Sequence, residues 1–508
     1  MKNKTIYTIL LFVLGLFSCT DWLDVSPKSE IKADKLFETE AGFKDALIGI
    51  YIGMTAPEVY GENLSWGALE FLAAQYQAPN GEYGQFQKYN YEDNGSKALI
   101  DEIWAKQYHL ISEINYLLEA LEKEAGKLNP TVYNVIKGEA LALRAFCHFD
   151  LIRLFAKGNL AHNKAALDEL CIPYVTRYTK VITAQKTYRE TLTLLHRDID
   201  EALKCLVSDP LYPDPVERPA DYEDVTENQV FFEGTYYKGR ETRMSYPAVL
   251  LLNARVYQWE GDQTNALANA EKLIAAFKKY VADGSHEWAT ESYYVSSNKT
   301  SNSKDFVFAG ELLFALEATK LSEYLEFAYS TTKHGNQNYD RLIQPVAFVQ
   351  EIYNFSTGEA NSDLRYENWY EDIQELGGKW TIKIKKTEGN YFTNLLPLMR
   401  ISEAYLIAAE AMAETNKAKA IEYMNFLKEK RKISGNYYLD EGITNEELEK
   451  AILQEYRKEY GQEGQLFFCY KRLGLKTFKG IQYVKGDMGD AQYQLPYPVV
   501  EQDLGQRQ

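Results

Sequence analysis

The chain has 508 residues, 45% hydrophobic and 25% charged, a composition that excludes intrinsic disorder and a length that exceeds one small core. A net charge of −17 speaks against a nucleic-acid partner, because phosphate binding needs clustered Lys and Arg. The five cysteines have no CxxC spacing, so no zinc or redox motif is indicated, and neither a metal nor a cofactor is expected.

In chain order, MKNKTIYTILLFVLGLFSC carries Lys2 and Lys4, an apolar run from Ile9 to Phe17, then Ser18 and Cys19. This is the layout of a signal peptide over 1–18, too short in its apolar run to act as a membrane-spanning helix. Leu16-Phe17-Ser18-Cys19 resembles a bacterial lipobox, which makes Cys19 the expected lipid anchor and first mature residue. Residues 19–36 read as a linker. Phe37, Phe43, Leu47 and Tyr51 mark a first helix that ends before Pro57. Residues 61–95 form an excursion rich in aromatics and punctuated by glycine, including Trp66, Tyr76, Tyr83 and Tyr89.

Regular helices are expected over 97–123 and 131–155, where Trp104, Tyr108, Ile111 and Leu118 share a face of the first. Another is expected over 187–206, with Leu192, Leu195, Ile199 and Leu203 in register, followed by an acidic, Pro-containing connector over 209–230. A further pair covers 246–261 and 264–277, broken at Gly261–Asp262. From 280 to 394 the text changes: Gly, Asn, Ser and Thr are frequent, rings are scattered, and only 311–316 and 380–384 look like strands. Long loops of this kind inside a compact protein are usually functional, and the aromatic content argues against disorder.

The helical pattern returns at 397–414, where Leu398, Ile401, Tyr405, Ala408 and Met412 share a face kept thin by Ala404, Ala408 and Ala411. A second helix over 417–431 completes a hairpin with the roughly 34-residue period of a tetratricopeptide repeat. A last helix is expected over 445–460, before the closing Leu495-Pro496-Tyr497-Pro498. The expected fold is mainly α, with tetratricopeptide-like helical hairpins forming a solenoid-like half over 37–279. Residues 395–508 return to that half, and 280–394 form an irregular, ligand-facing lobe containing short strands.

Three segments resemble one known family. GEALALRAFCHFDLIRLF at 138–155, the PLMRISEAYLIAAEA helix within 396–414, and QEYRKEYGQEGQLFFCYKRL at 454–473 are similar to two signature helices and a further signature segment of the SusD/RagB family. Weaker echoes lie at 103–115, 254–257, 363–366 and 495–498, all in the family's order. Gln465 and Cys469 stand where the family often carries Arg and Asp, and Ala156–Lys157 replaces its glycine. The resemblance implies a lipoprotein of the Bacteroidetes outer membrane, facing the cell exterior. It further implies a SusC-like TonB-dependent transporter as partner and an oligo- or polysaccharide as cargo.

The residues themselves can be asked whether they suit such a cargo. A sugar ring has an apolar face, and stacking it on an aromatic removes about 40 Å² of apolar area from water, worth roughly 1 kcal/mol. Tyr76, Tyr83, Trp288, Tyr294, Tyr324 and Tyr339 have polar or small neighbours and are the candidate ligand-binding rings; packing within the lobe is the competing role for each. No catalytic residue is assigned. His286-Glu287 begins an HExxH-like pattern, but position 290 is Thr and no second histidine follows. There is no GxSxG elbow, Walker loop or GxGxxG, and Arg400, Glu403 and Glu410 suit structural ion pairs. The alternatives are a tetratricopeptide-like protein-interaction scaffold, binding on its concave helical face, and capture of a non-glycan nutrient such as peptide.

Overall fold

Helix ends follow from local sequence. Thr187 with Glu190, and Thr444 with Glu447, form reciprocal capping boxes that open two of the helices. Asn129 followed by Pro130 opens another, its side chain accepting from Thr131 N–H. Gly261, at φ +76°, closes a fourth, and a Cβ there would meet Ala161 Cα at 2.7 Å. The structure is a computed structural model. It describes residues 33–76, 83–207, 209, 240–282, 284–298, 301, 303–325, 328–329, 342–373, 378–385, 392, 394–481, 484–485, 487–503 and 505.

The longer helices among these are α1 (Glu40–Met54), α2 (Asn94–Glu124), α3 (Pro130–Phe155), α4 (Tyr188–Leu206), α5 (Tyr246–Glu260) and α6 (Gln263–Ala282). They are followed by α7 (Ile401–Met412), α8 (Lys417–Glu429), α9 (Asn445–Glu459) and α10 (Leu466–Leu473). Successive helices pack side by side, α2 on α3, α3 on α4, α5 on α6, α6 on α7 and α7 on α8, which is the mainly α, hairpin-built architecture expected. The expected excursion is not all loop, for it contains the short helices Ala68–Leu72 and Tyr83–Phe86. Helix α10 lies in a segment where no helix was expected by periodicity. No described helix is long and apolar enough to cross a membrane.

Strands β1 (Leu312–Glu317) and β5 (Leu395–Arg400) pair antiparallel, Leu312 opposite Arg400 and Glu317 opposite Leu395, with an irregularity around Phe314. A second sheet has the order β2 (Ile343–Pro345), β4 (Gly378–Thr381), β3 (Tyr370–Ile373). Strand β5 corrects the expected helix start at 397. The helical spacing holds only from Ile401 onward, and residues before it take extended backbone, with Arg400 at φ −136°, ψ 155°. Pro397 would be tolerated in a first helical turn, so the pattern alone could not exclude a helix there. The pairing strand β1, some eighty residues earlier, decides the matter by supplying ladder partners.

The main apolar core runs through all ten helices and takes in Leu313, Phe314 and Leu316 of β1. The irregular lobe has smaller cores of its own, one around Phe308, Phe348, Tyr353, Trp369 and Tyr370, another around Phe306, Ile373, Trp380 and Ile382.

Candidate functional site

The lobe is seated on the helices through buried ions. Arg400, at the end of β5, donates to Glu463 (Nε to Oε1, 2.8 Å), and Lys383 reaches the same carboxylate at 2.6 Å. Arg431 bridges Glu311 (2.6 Å) and Glu459 (2.7 Å), while Arg365 bridges Asp363 (2.7 Å), Glu455 (2.9 Å) and Glu459 (2.7 Å). Lys458 pairs with Glu455 and Glu359, both at 2.8 Å, and Lys428 with Glu359 at 3.0 Å. Six cations thus face six carboxylates, all with side chains 0–7% exposed. Burial alone would favour neutral carboxyls, but Arg365 and Lys458 outweigh it at Glu455 and Arg431 and Arg365 outweigh it at Glu459, holding both far below the usual range. At Lys383 burial wins in part and lowers its ammonium to about 8.

This seam explains the 454–473 signature. Glu455, Lys458, Glu459 and Glu463 point inward as ligands of the seam rather than outward to water. Where the family often has Arg, Gln465 accepts from Arg153 Nη1 at 2.9 Å. Cys469 is buried, and neighbouring Arg472 pairs with Glu410 (Nη2 to Oε2, 2.8 Å). Glu403 pairs with Arg255 at 2.5 Å. The expected structural pairing of Arg400, Glu403 and Glu410 is therefore present. Glu70 stands apart: it accepts from Gly464 N–H at 2.9 Å, and burial, only partly offset by the Gly464 and Gln462 N–H groups and by Lys383, pushes its carboxyl up to about 8.

The nominated rings divide. Tyr76 is fully buried, with its ring 5.9 Å from Phe71 and its hydroxyl 3.4 Å from Thr381 Oγ1. Tyr83 is 4% exposed and stacked on Phe71 at 4.6 Å, with its hydroxyl 2.8 Å from Asn63 Oδ1 and 2.9 Å from Glu62 Oε1. Trp288 is also 4% exposed, enclosed by Phe277, Tyr405 and Phe426 at 5.4–5.7 Å. The exposure expected of these three is corrected: in short irregular segments a residue with polar neighbours can still turn inward and fill a core. Most other described rings of the lobe, including Tyr353, Trp369 and Tyr370, likewise build its cores. Tyr339 and Cys19 lie outside the described residues.

Tyr294 and Tyr324 remain at the surface. Tyr294 is 45% exposed, and its neighbour Tyr293, not among the six, is 74% exposed, the rings 5.8 Å apart. Phe392 adds a third ring 5.6 Å from Tyr294. The four-residue helical turn Tyr293–Ser296 presents the two tyrosines, and Asp305 N–H bonds Tyr294 C=O at 3.1 Å to hold it. Tyr324 is half-buried in the short helix Leu321–Leu325, which leaves the same end of the β1–β5 ladder that Phe392 enters, joined by Ala318 N–H to Asn394 C=O at 2.8 Å. Its phenol is raised by burial and by the nearby Glu323, Glu58 and Glu62, so Tyr324 approaches the loop that also holds Tyr83. Adjacent identical rings were the only signal for Tyr293, and Phe392 had none beyond its type.

Comparison with known proteins adds a family. Residues 21–222 match the description SusD-like_3, "Starch-binding associating with outer membrane", and residues 328–500 match the SusD family. SusD-like protein P2 of Formosa agariphila is 22% identical over 98% of this chain and 97% of its own length. SusD-like protein P38 of the same organism is 25% identical over 91% of this chain and 90% of its own. Among solved structures, a SusD superfamily protein of Bacteroides thetaiotaomicron superposes with a TM-score of 0.69 at 22% identity, covering 92% of this chain and 98% of that one. A SusD-like carbohydrate binding protein of Bacteroides vulgatus does so with a TM-score of 0.67 at 18% identity, covering 92% and 97%.

Proposed function

The chain belongs to the SusD family, and on that premise we propose that it is a cell-surface nutrient-binding lipoprotein held to the outer membrane through Cys19. It captures a glycan without altering it and passes it to a SusC-like TonB-dependent transporter. The observation that carries the capture site is the ring patch of exposed Tyr293 and Tyr294 with half-buried Phe392 beside them, on a lobe joined to the helices by the ion seam. Preorganised rings lose little conformational entropy on stacking a sugar. Each stacked ring contributes roughly 1 kcal/mol, so two or three of them with a few hydrogen bonds give only about millimolar to high-micromolar affinity. A polymeric ligand and a tethered protein make such weak contacts sufficient, because rebinding raises the effective concentration.

A glycan array followed by titration calorimetry tests the reading. The Tyr293→Ala/Tyr294→Ala variant is expected to lose about thirtyfold in affinity for the glycan that the parent binds. Unchanged affinity removes this surface from the proposal, and binding of peptides in place of sugars changes the cargo. Recovery of a barrel protein after mild-detergent purification from the native membrane tests the transporter partner.

A further inference from the structure

Ten large apolar residues stand exposed among the described residues; five of them, Tyr178, Val181, Ile182, Val499 and Val500, fall in two segments that flank one cleft, and Val181 and Val500 line it. This cleft, of about 520 Å³, lies between α2, the extended segment 173–183 and the C-terminal helix Val499–Asp503, with Trp104, Tyr108, Pro173, Val175, Val181 and Val500 in its lining. The segment is held firmly from beneath. Tyr108 donates to Pro173 C=O (2.9 Å), Asn115 to Val175 C=O (3.0 Å), and Glu119 accepts from Tyr178 N–H (2.9 Å). His148 takes the Val175 N–H on Nε2 (2.9 Å), its Nδ1 lying 2.9 Å from Arg144 C=O. These bonds fix residues 173–178, and the segment that follows carries Val181 and Ile182 in water, 76% and 64% exposed, beside the half-exposed Tyr178, a grouping of apolar side chains that marks an interaction surface.

Two observations identify the partner. Residues 177–186, RYTKVITAQK, carry Arg177, Lys180 and Lys186 and no carboxylate, in a chain of net charge −17. The described chain also begins beside this loop: Phe37 lies 5.3 Å from Tyr116, and Tyr116 lies 4.9 Å from Tyr178, ring to ring. From Cys19 to residue 32 there are fourteen positions, which span at most about 48 Å when fully extended. An acyl group on Cys19 therefore keeps a bilayer within reach of this face. Tyrosine and β-branched side chains flanked by Lys and Arg, whose stems lie along apolar surface while their charges stay wet, suit an anionic lipid interface.

We propose that Tyr178, Val181 and Ile182, with Arg177, Lys180 and Lys186, form a second contact with the lipid surface that sets the orientation of the tethered protein. The orientation argument rests on the anchor reading above, whereas the contact itself can be measured without the anchor. The test is flotation of the mature chain, made without acylation, with vesicles of phosphatidylethanolamine and phosphatidylglycerol at low salt. The expected result is association that falls at least fivefold in Val181→Glu/Ile182→Glu and at least twofold in Lys180→Glu/Lys186→Glu, with melting temperature and glycan binding unchanged. Absence of vesicle association by the parent, or equal association by both variants, overturns the proposal. So does concentration-dependent dimerisation that the apolar variant abolishes, which would make the face a contact between copies. The mass of the N-terminal peptide from native membranes reports acylation of Cys19 separately, so failure of the anchor and failure of this contact are distinguishable.

Discussion

Between α6 and α7 the packing surfaces are small and apolar, with Ala266, Ala270, Ala404 and Ala408 fully buried on helices that lie against each other. Between α9 and the irregular lobe the buried surface is instead charged, Glu455, Lys458 and Glu459 meeting Arg365 and Glu359 of the lobe, with Arg431 from beyond α8 joining them. The difference teaches how each region tolerates change. Apolar contacts are many and weak, so removing atoms costs in proportion to the space left behind. Buried ions are few and mutually dependent, so removing one partner strands the others in a medium that cannot solvate them.

The comparison is sharpest at Glu459, which touches Arg431, Arg365 and the Ser402 hydroxyl (2.8 Å). Glu459→Ala is expected to cost about 3–5 kcal/mol in urea unfolding and to weaken glycan binding with it, because the lobe loses its seat. On the apolar side Leu406→Ala, at a fully buried position of α7, is expected to cost about 3 kcal/mol and to leave binding by the folded fraction intact. If the two substitutions affected binding alike, the idea of a specific ionic seat for the lobe would fail.

Acidity separates the regions further. Glu455, Glu459 and Glu359 sit below their ordinary 4.5, so the stability they contribute is present above that pH and lost as pH falls through their folded values. His148 is lowered by burial from 6.5 to about 3, so its neutral, loop-holding form also costs stability as the medium acidifies across that interval. Glu70 has the opposite sign. Its carboxyl titrates near 8 when folded against 4.5 when unfolded, so stability present below 4.5 is lost as pH rises through 8, on the order of a few kcal/mol. Urea midpoints should therefore fall on the acid side, and on the alkaline limb, where the lowered Lys383 and Lys471 act in the opposite sense, Glu70→Gln should gain on the parent as pH rises from 4.5 to 8. An unaltered alkaline limb in that variant would assign the loss to another group.

The smallest expected effect lies at the rings on the surface. Tyr293→Ala and Tyr294→Ala should each change unfolding stability by no more than about 0.5 kcal/mol, since neither ring is committed to a core. A larger loss would mean that the patch holds the lobe together and is not free to stack a ligand.

The candidate site was less legible than the scaffold. Tyr294 and Tyr324 were found because small or polar residues surround them, and the same criterion misplaced Tyr76, Tyr83 and Trp288. The polar text around Trp288 gives no hint that Phe277, Tyr405 and Phe426, contributed by three different helices, close over it. The charged run 454–473 resembled a family signature without disclosing its purpose, since on periodicity alone its Glu and Lys residues would be assigned to solvent.

The sequence by itself determined nine of the ten longer helices and their order, α10 excepted, because capping boxes, apolar spacing and glycine stops act within a few residues of one another. Tertiary structure alone decided that 397–400 is strand, which tyrosines meet water, and that the ions of α9 turn inward. Each of those outcomes depends on a distant partner: β1 for β5, Glu311 for Arg431 at 120 residues, Glu463 for Arg400 at 63, and Glu459 for Arg365 at 94. Burial and ion pairing are set by groups that only folding brings into contact, and local spacing carries no record of them.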